Sequence, residues 1–507
     1  MQARFVEFIM EPEAVVADDK PKSQSRLARI FGLDEATESG LHIAKILAIM
    51  LPAFATSFQI STTFYMIFIA ETLGGGDYIL GLELVGILVV IQLAVQVSLD
   101  YPTGVIGDWI GQRYIIASAL FCYSIAFWLT STITPETPFY IFVVIYGIFG
   151  FGASQESGAF QAWFDNNYRV AMPHDKERKQ YGVFWGKIGM IWQLTATLVL
   201  IPGSWMAFYW GERWVFQLQA ILAFLLSIIV IRVIKDLPGV REKSDERPSL
   251  TEYGTLLKDG IKFLGSSRFI TFIILGEVIF FATGPAWWNI LLFPFYFSYL
   301  LTNVAVSAFR TIIFFPQAVT QERAGIWSRR FEPEKWIPRF KLLQFSGFLF
   351  YILLALVTVI FPKAPDNVDP VGIYIPFTNL AIIEIPPQSI IPVAIIFTIF
   401  LITGIFGNIG GILSQRIMID VIPSRIRNSM YSLQPTLVML CSMPLIVLFG
   451  WLVPNYGFPV TFTICSLVAL SGALMIRKGF TYPIPRIKDI EAATEEEREE
   501  VEELDVV

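Results

Sequence analysis

Long apolar runs separated by short polar gaps leave this 507-residue chain few ways to fold. A bilayer core takes about 20 apolar residues as helix, and about twelve runs meet that rule. They lie near Ile46–Ala70, Ile79–Leu99, Tyr114–Ile133, Phe139–Phe164, Tyr181–Trp205 and Trp214–Ile234, then Phe269–Phe297, Asn303–Val319, Phe340–Phe361, Ile391–Ile412, Met430–Val453 and Phe458–Ile476. Lipid offers the backbone no hydrogen bonds, so runs of this kind span as helices. Only 16% of residues are charged, against about 25% in ordinary soluble domains. The expected class is an all-α polytopic membrane protein with twelve transmembrane helices.

The loop charges agree with that count. Basic residues fall in alternate connections: Arg113; Arg169 to Lys179; Lys235 to Arg268; Arg323 to Arg339; Arg416, Arg425 and Arg427. The other connections hold only Arg213 and Lys363. The positive-inside rule then places both termini in the cytoplasm. Trp128, Trp205, Trp210, Trp214 and Trp451 fall at outer ends, where aromatic belts lie. The net charge of −6 is local, since Asp489–Val507 holds ten acids against Arg498. Without that tail the chain is mildly basic.

The charged segment from Lys235 to Arg268 divides the runs six and six. The expected organisation is a leader over 1–45, a bundle over 46–234, a linker over 235–268, a second bundle over 269–476 and an acidic tail over 477–507. Ser249-Leu250-Thr251-Glu252 reads as a capping box opening an amphipathic helix. The leader around Arg26–Phe31 carries basic residues suited to an anionic membrane surface. The outer segment Pro362–Pro392 is proline-rich and reads as a stiff cap, with a partner site as the alternative.

Between the second and third runs stands Asp100-Tyr101-Pro102-Thr103-Gly104-Val105-Ile106-Gly107-Asp108-Trp109-Ile110-Gly111-Gln112-Arg113. Its spacing of Gly104, Asp108, Gly111 and Arg113 resembles the cytoplasmic loop between helices two and three of the major facilitator superfamily, whose members are secondary transporters. Gln112 departs from it, standing where the family usually has a second basic residue. A weaker echo, Gly325-Ile326-Trp327-Ser328-Arg329-Arg330, follows the eighth run. The resemblance implies two pseudo-symmetric six-helix bundles rocked about a central site. It also implies a cytoplasmic latch in which Asp108 meets the start of the eleventh helix near Ser424 and Arg425, with Asp165 and Arg169 nearby.

Ionisable groups inside a bilayer are costly and mark candidate sites. Glu156 stands in the fourth run, where Gly150, Ser154, Gly158 and Ala162 form a small-residue seam. Two positions from Ser154 is about 200° of helix, so Glu156 points away from the seam. It is either a proton or substrate site, or the ion-pair partner of Lys187. Glu277 shares a helix face with Phe281, Gly284 and Trp288. The resemblance places the seventh helix on the substrate path and implies a cavity carboxylate at Glu277, with a structural glutamate as the alternative. Arg310 could attract an anion or neutralise Glu277, although it sits nearer the outside. Gln59, Thr62, Tyr65 and Asn408 are candidate polar contacts or interhelical glue. Trp287 and Trp288 either stack on a flat or cationic substrate or belong to the outer belt.

No metal-ligand cluster, Ser/His pair or paired carboxylates are visible, and there is no Gly-Lys-Ser/Thr nucleotide loop. Neither cofactor nor enzymatic activity nor a nucleic-acid partner is expected. The expectation is a plasma-membrane monomer, a secondary active transporter of a small organic solute coupled to protons. An uncoupled facilitator, a multidrug-type efflux protein and a membrane receptor or scaffold are the alternatives. The efflux-type Gly-Pro-x-x-Gly-Gly pattern is missing from the fifth run, which reads Lys187-Ile188-Gly189-Met190-Ile191-Trp192-Gln193.

Overall fold

The computed structural model describes residues 25–33, 37–175, 179–240, 258, 260–363, 369–378, 380–422 and 427–485. Ten helical stretches in it are long and apolar enough to cross a bilayer. The last, Leu433–Gly479, has 47 residues. That is about 70 Å of helix, over twice the thickness of a hydrocarbon core. Gly457 interrupts it at φ 76°, ψ 177°, a conformation open to glycine, so two helices meet there. Asn303–Ser328 is also long, at 26 residues, but Arg310 and the polar residues near its end lower its hydropathy. Counting it and dividing the last stretch makes the set compatible with the twelve spans of the sequence.

Several expected runs are broken helices. The first divides into Glu38–Gln59 and Tyr65–Leu73, with turns between. The fourth divides into Phe139–Glu156 and Ala159–Ala171 at Gly158, whose φ is 78°. The seventh passes from Arg268–Phe281 through Thr283–Ala286 and a π-helical turn at Trp287–Leu291 into Leu292–Leu300. The second runs unbroken from Tyr78 to Ile110. The polar stretch expected as a loop from Asp100 is therefore helical, Pro102 included, and the turn comes only at Gly111, φ 105°.

The chain forms two compact units, Met1–Phe68 with Ile91–Pro248 and Ile69–Val90 with Ser249–Val507. In the first unit the core gathers Phe31, Leu47, Leu51, Phe164, Phe184 and Val230, all almost fully buried. Arg26–Phe31 belongs to this core: Ser25 caps it through Ala28 N at 3.1 Å, and Phe31 packs on Phe184 with centroids 5.2 Å apart. Ala28 and Phe31 face the protein, while Arg26, Arg29 and Ile30 stay exposed on the opposite side.

In the second unit Trp287 is fully buried, ringed by Phe295, Phe345, Phe350, Tyr351, Phe400 and Phe462. It is a core residue and not part of an outer belt. The connection Pro362–Pro392 holds one antiparallel hairpin, β1 Val371–Tyr374 and β2 Ala381–Ile385, the one sheet among the described residues. Thr302, the N-cap of Asn303–Ser328, donates to Glu384 Oε1 at 2.7 Å and ties the hairpin to that helix. The linker helix expected from Ser249, and the acidic tail from Arg486 onward, lie essentially outside the described residues.

Candidate functional site

Glu156 ends the helix Phe139–Glu156, and Ser157 and Gly158 turn the chain immediately after it. Half of the expected seam holds that helix in place. Gly150 lies against the backbone of Gln92, and Thr103 Oγ1 donates to Ser154 O at 2.8 Å. Gly158 serves the turn instead of the packing, because nothing lies near where its side chain would be. Glu156 points away from this contact, as the helical geometry requires.

The Glu156 side chain opens on a cavity of about 290 Å³ within the first unit. Leu51, Phe54, Phe58, Phe160, Trp185 and Trp192 contribute to its walls. Tyr123 donates its hydroxyl to Glu156 Oε2 at 2.8 Å. Among the described residues this is the carboxylate's one hydrogen bond. Lys187 does not pair with it; its stem passes Gly32, at the end of the leader helix. Tyr123 was missed by sequence reasoning because it stands among many aromatics in the third run, with no local pattern to single it out.

The break in the first run is closed by buried polar groups. Gln219, fully buried, donates through Nε2 to Ser57 O at 2.6 Å and accepts from Ser61 Oγ at 2.5 Å. Thr63 and Ser204 hydroxyls lie 3.3 Å apart. An unwound membrane segment is tolerated where protein satisfies its backbone, and Gln219 does this. Its presence inside an apolar run was a readable signal. Gln59 accepts from Thr62 at 3.0 Å beside the break, and Tyr65 sits within Phe127, Tyr146, Phe149 and Phe216.

In the second unit Glu277 is 3% exposed. Lys341 Nζ meets its Oε2 at 2.6 Å and Ser414 Oγ donates to Oε1 at 3.0 Å. Lys341, 1% exposed, also lies 4.5 Å from the centre of the Phe281 ring. The pair joins Arg268–Phe281, Pro333–Leu343 and Ile390–Val421. Arg310 does not take part. Its guanidinium stacks on Trp288 at 4.6 Å and Phe314 at 4.7 Å. Asn408 donates to Thr320 Oγ1 at 3.1 Å, an interhelical contact. Lys341 was missed because it stands at the edge of the ninth run, between loop charge and span.

At the second-to-third turn, Gln112 Nε2 donates to Asp108 Oδ1 at 2.9 Å. The departure from the family pattern thus supplies a local partner to the carboxylate. Gly104 is exposed with open space at its Cβ position, while a side chain at Gly107 would strike Gln112. Arg113 Nη2 donates to Tyr114 Oη at 2.9 Å. Asp165 accepts from the Tyr181 hydroxyl. Arg425 lies outside the described residues.

No family model and no curated protein matches the sequence. Solved structures do. A variant of the nucleoside transporter NupG superposes with a TM-score of 0.64 at 11% identity, covering 86% of this chain and 100% of its own. A D-xylose-proton symporter gives 0.59 at 16%, covering 87% and 98%. A bacterial homologue of the human lysosomal transporter Spinster gives 0.55 at 12%, covering 86% and 93%. The chain is a multi-pass membrane protein with the fold of the major facilitator superfamily.

Proposed function

We propose that this protein is a secondary active transporter of a small organic solute, coupled to protons through Glu156 and working by alternating access. One observation carries the reading: a carboxylate within the fourth span opens on a cavity and, among the described residues, has only a tyrosine hydroxyl as hydrogen-bond partner. Such a group keeps an oxygen open to a proton or ligand arriving through the cavity, whereas one already engaged by a lysine and a serine does not. Glu277 is of the second kind, so it is assigned to holding its bundle together. The fold supports transport in general, and the solutes named for the similar structures are not carried over. The plasma membrane, cytoplasmic termini and a monomeric state belong to the same proposal.

The test is solute-driven proton movement in proteoliposomes containing the full chain, scanned over a mixed panel of organic solutes. Wild type is expected to acidify or alkalinise the lumen with at least one solute, and Glu156→Gln to abolish that signal while still melting cooperatively. Solute flux indifferent to a pH gradient makes the protein a facilitator. Absence of flux across the panel withdraws the transport reading. Gly104, Asp108, Gly111, Arg113, Asp165 and Arg425 are proposed as parts of a conformational latch. Asp108→Asn keeps an acceptor for Gln112, so the protein should fold and transport more slowly; an unchanged rate removes the latch.

A further inference from the structure

We propose that the Glu156 cavity binds a lipophilic organic monocation with an aromatic body; the inference rests on the transporter reading for its purpose, but not for its binding chemistry. The walls are the first argument. Phe54, Phe58, Phe160, Trp185 and Trp192 border a space of about 290 Å³, and Glu156 is the single charged group among its lining residues. Phe58 and Trp192 stand with centroids 6.0 Å apart, and Phe54 and Phe160 6.3 Å apart. Aromatic faces attract cations within about 6 Å.

The second argument is what the cavity rejects. A sugar or polyol would bring its hydroxyls against walls that offer almost no partners, and each one left unpaired weakens binding. An organic anion would be repelled by Glu156. A neutral apolar molecule would strip water from the carboxylate and offer it nothing. A cation with an aromatic body meets both surfaces. Tyr123 occupies Oε2, and Oε1 has no partner among the described residues. The helix ends at Glu156 and Ala159 carry opposed dipoles that offset, leaving the carboxylate as the net charge of the site.

The experiment uses the full-length protein in lipid nanodiscs and three ligands of similar shape: 1-methyl-4-phenylpyridinium, 4-methylbiphenyl and biphenyl-4-carboxylate. Equilibrium binding is measured with radiolabelled forms. The cation is expected to bind at least tenfold more tightly than the neutral compound, and the anion not to bind. Glu156→Gln should cut the cation-to-neutral ratio severalfold, leaving only the preference that the aromatic walls supply. Gly189 lines the same cavity with open space at its Cβ position, so Gly189→Leu should abolish binding of both. Tyr123→Phe keeps the carboxylate and should keep the charge preference, which guards against a Glu156 variant that fails to fold. Neutral or anionic binding as tight as the cation's overturns the proposal, as does a charge preference left undiminished by Glu156→Gln or cation binding left undiminished by Gly189→Leu. Charge-selective binding without flux withdraws transport and leaves the cation site standing. Proton-coupled flux that depends on Glu156 but ignores ligand charge does the reverse.

Discussion

A carboxylate inside a membrane protein is neutralised, hydrogen-bonded or open to water, and Glu277 and Glu156 take different solutions. Glu277 has a lysine on one oxygen and a serine on the other, both inside the unit. Removing one member of a buried pair leaves the other uncompensated, at about 3–5 kcal/mol. Lys341→Met should therefore lower the melting temperature sharply and reduce yield. Combining it with Glu277→Gln should recover a good part of the loss, because the stranded charge is gone. The check is a double-mutant cycle by thermal unfolding in detergent. Additive losses would mean that the two residues act apart. Both glutamates were legible in the sequence, since charges in apolar runs are few. Their partners were not, because Tyr123 and Lys341 come from other helices and only packing brings them near. The same holds for Arg310, whose aromatic partner Trp288 is a candidate in its own right but whose stacking depends on two helices meeting.

At the scale of the element, glycines decide how closely helices approach. A Cβ on Gly472 would lie 2.6 Å from Phe280 N and 2.8 Å from Gly276 O. One on Gly276 would lie 2.7 Å from Ile476 Cγ1. The seventh and twelfth spans thus cross backbone to backbone, the small-residue packing that compensates for the weak hydrophobic drive within lipid. Gly472→Ala must push the two backbones apart, at about 1–3 kcal/mol for overpacking. Gly411 is helical, with open space at its Cβ position. Gly411→Ala should be neutral or slightly stabilising, and a comparison of the two melting temperatures checks the contrast. The apolar runs themselves could be read directly, because lipid demands their length. Their breaks could not. Gly158 reads equally as one more member of a seam or as a turn, and nothing local to Gln59–Phe64 announces that Gln219, in the sixth span, will satisfy the opened chain. Pro102 gives the opposite lesson: it stands within the helix Tyr78–Ile110, so a proline near the end of an apolar run did not mark its end.

For the whole molecule the remaining question is which way it lies across the bilayer. Basic residues crowd one set of connections and leave Lys363 and Arg213 on the other. Short loops rich in lysine and arginine stay in the cytoplasm. The hairpin between β1 and β2 should then be outside, with Phe377 fully exposed at its turn, and Arg329, exposed after the Asn303–Ser328 helix, should be inside. Three free cysteines, Cys122, Cys441 and Cys465, must first be replaced to clear the background. Phe377→Cys and Arg329→Cys, introduced one at a time, are then exposed to a membrane-impermeant maleimide in intact cells. Labelling is expected at residue 377 at once and at residue 329 only after the membrane is opened. The reverse order would invert the protein and place the loop with Asp108 outside. Labelling of both sites in intact cells would put an odd number of crossings out of place between them. The two positions enclose the segment 330–376, which crosses the membrane once in the twelve-span arrangement, so opposite sidedness also tests that single crossing.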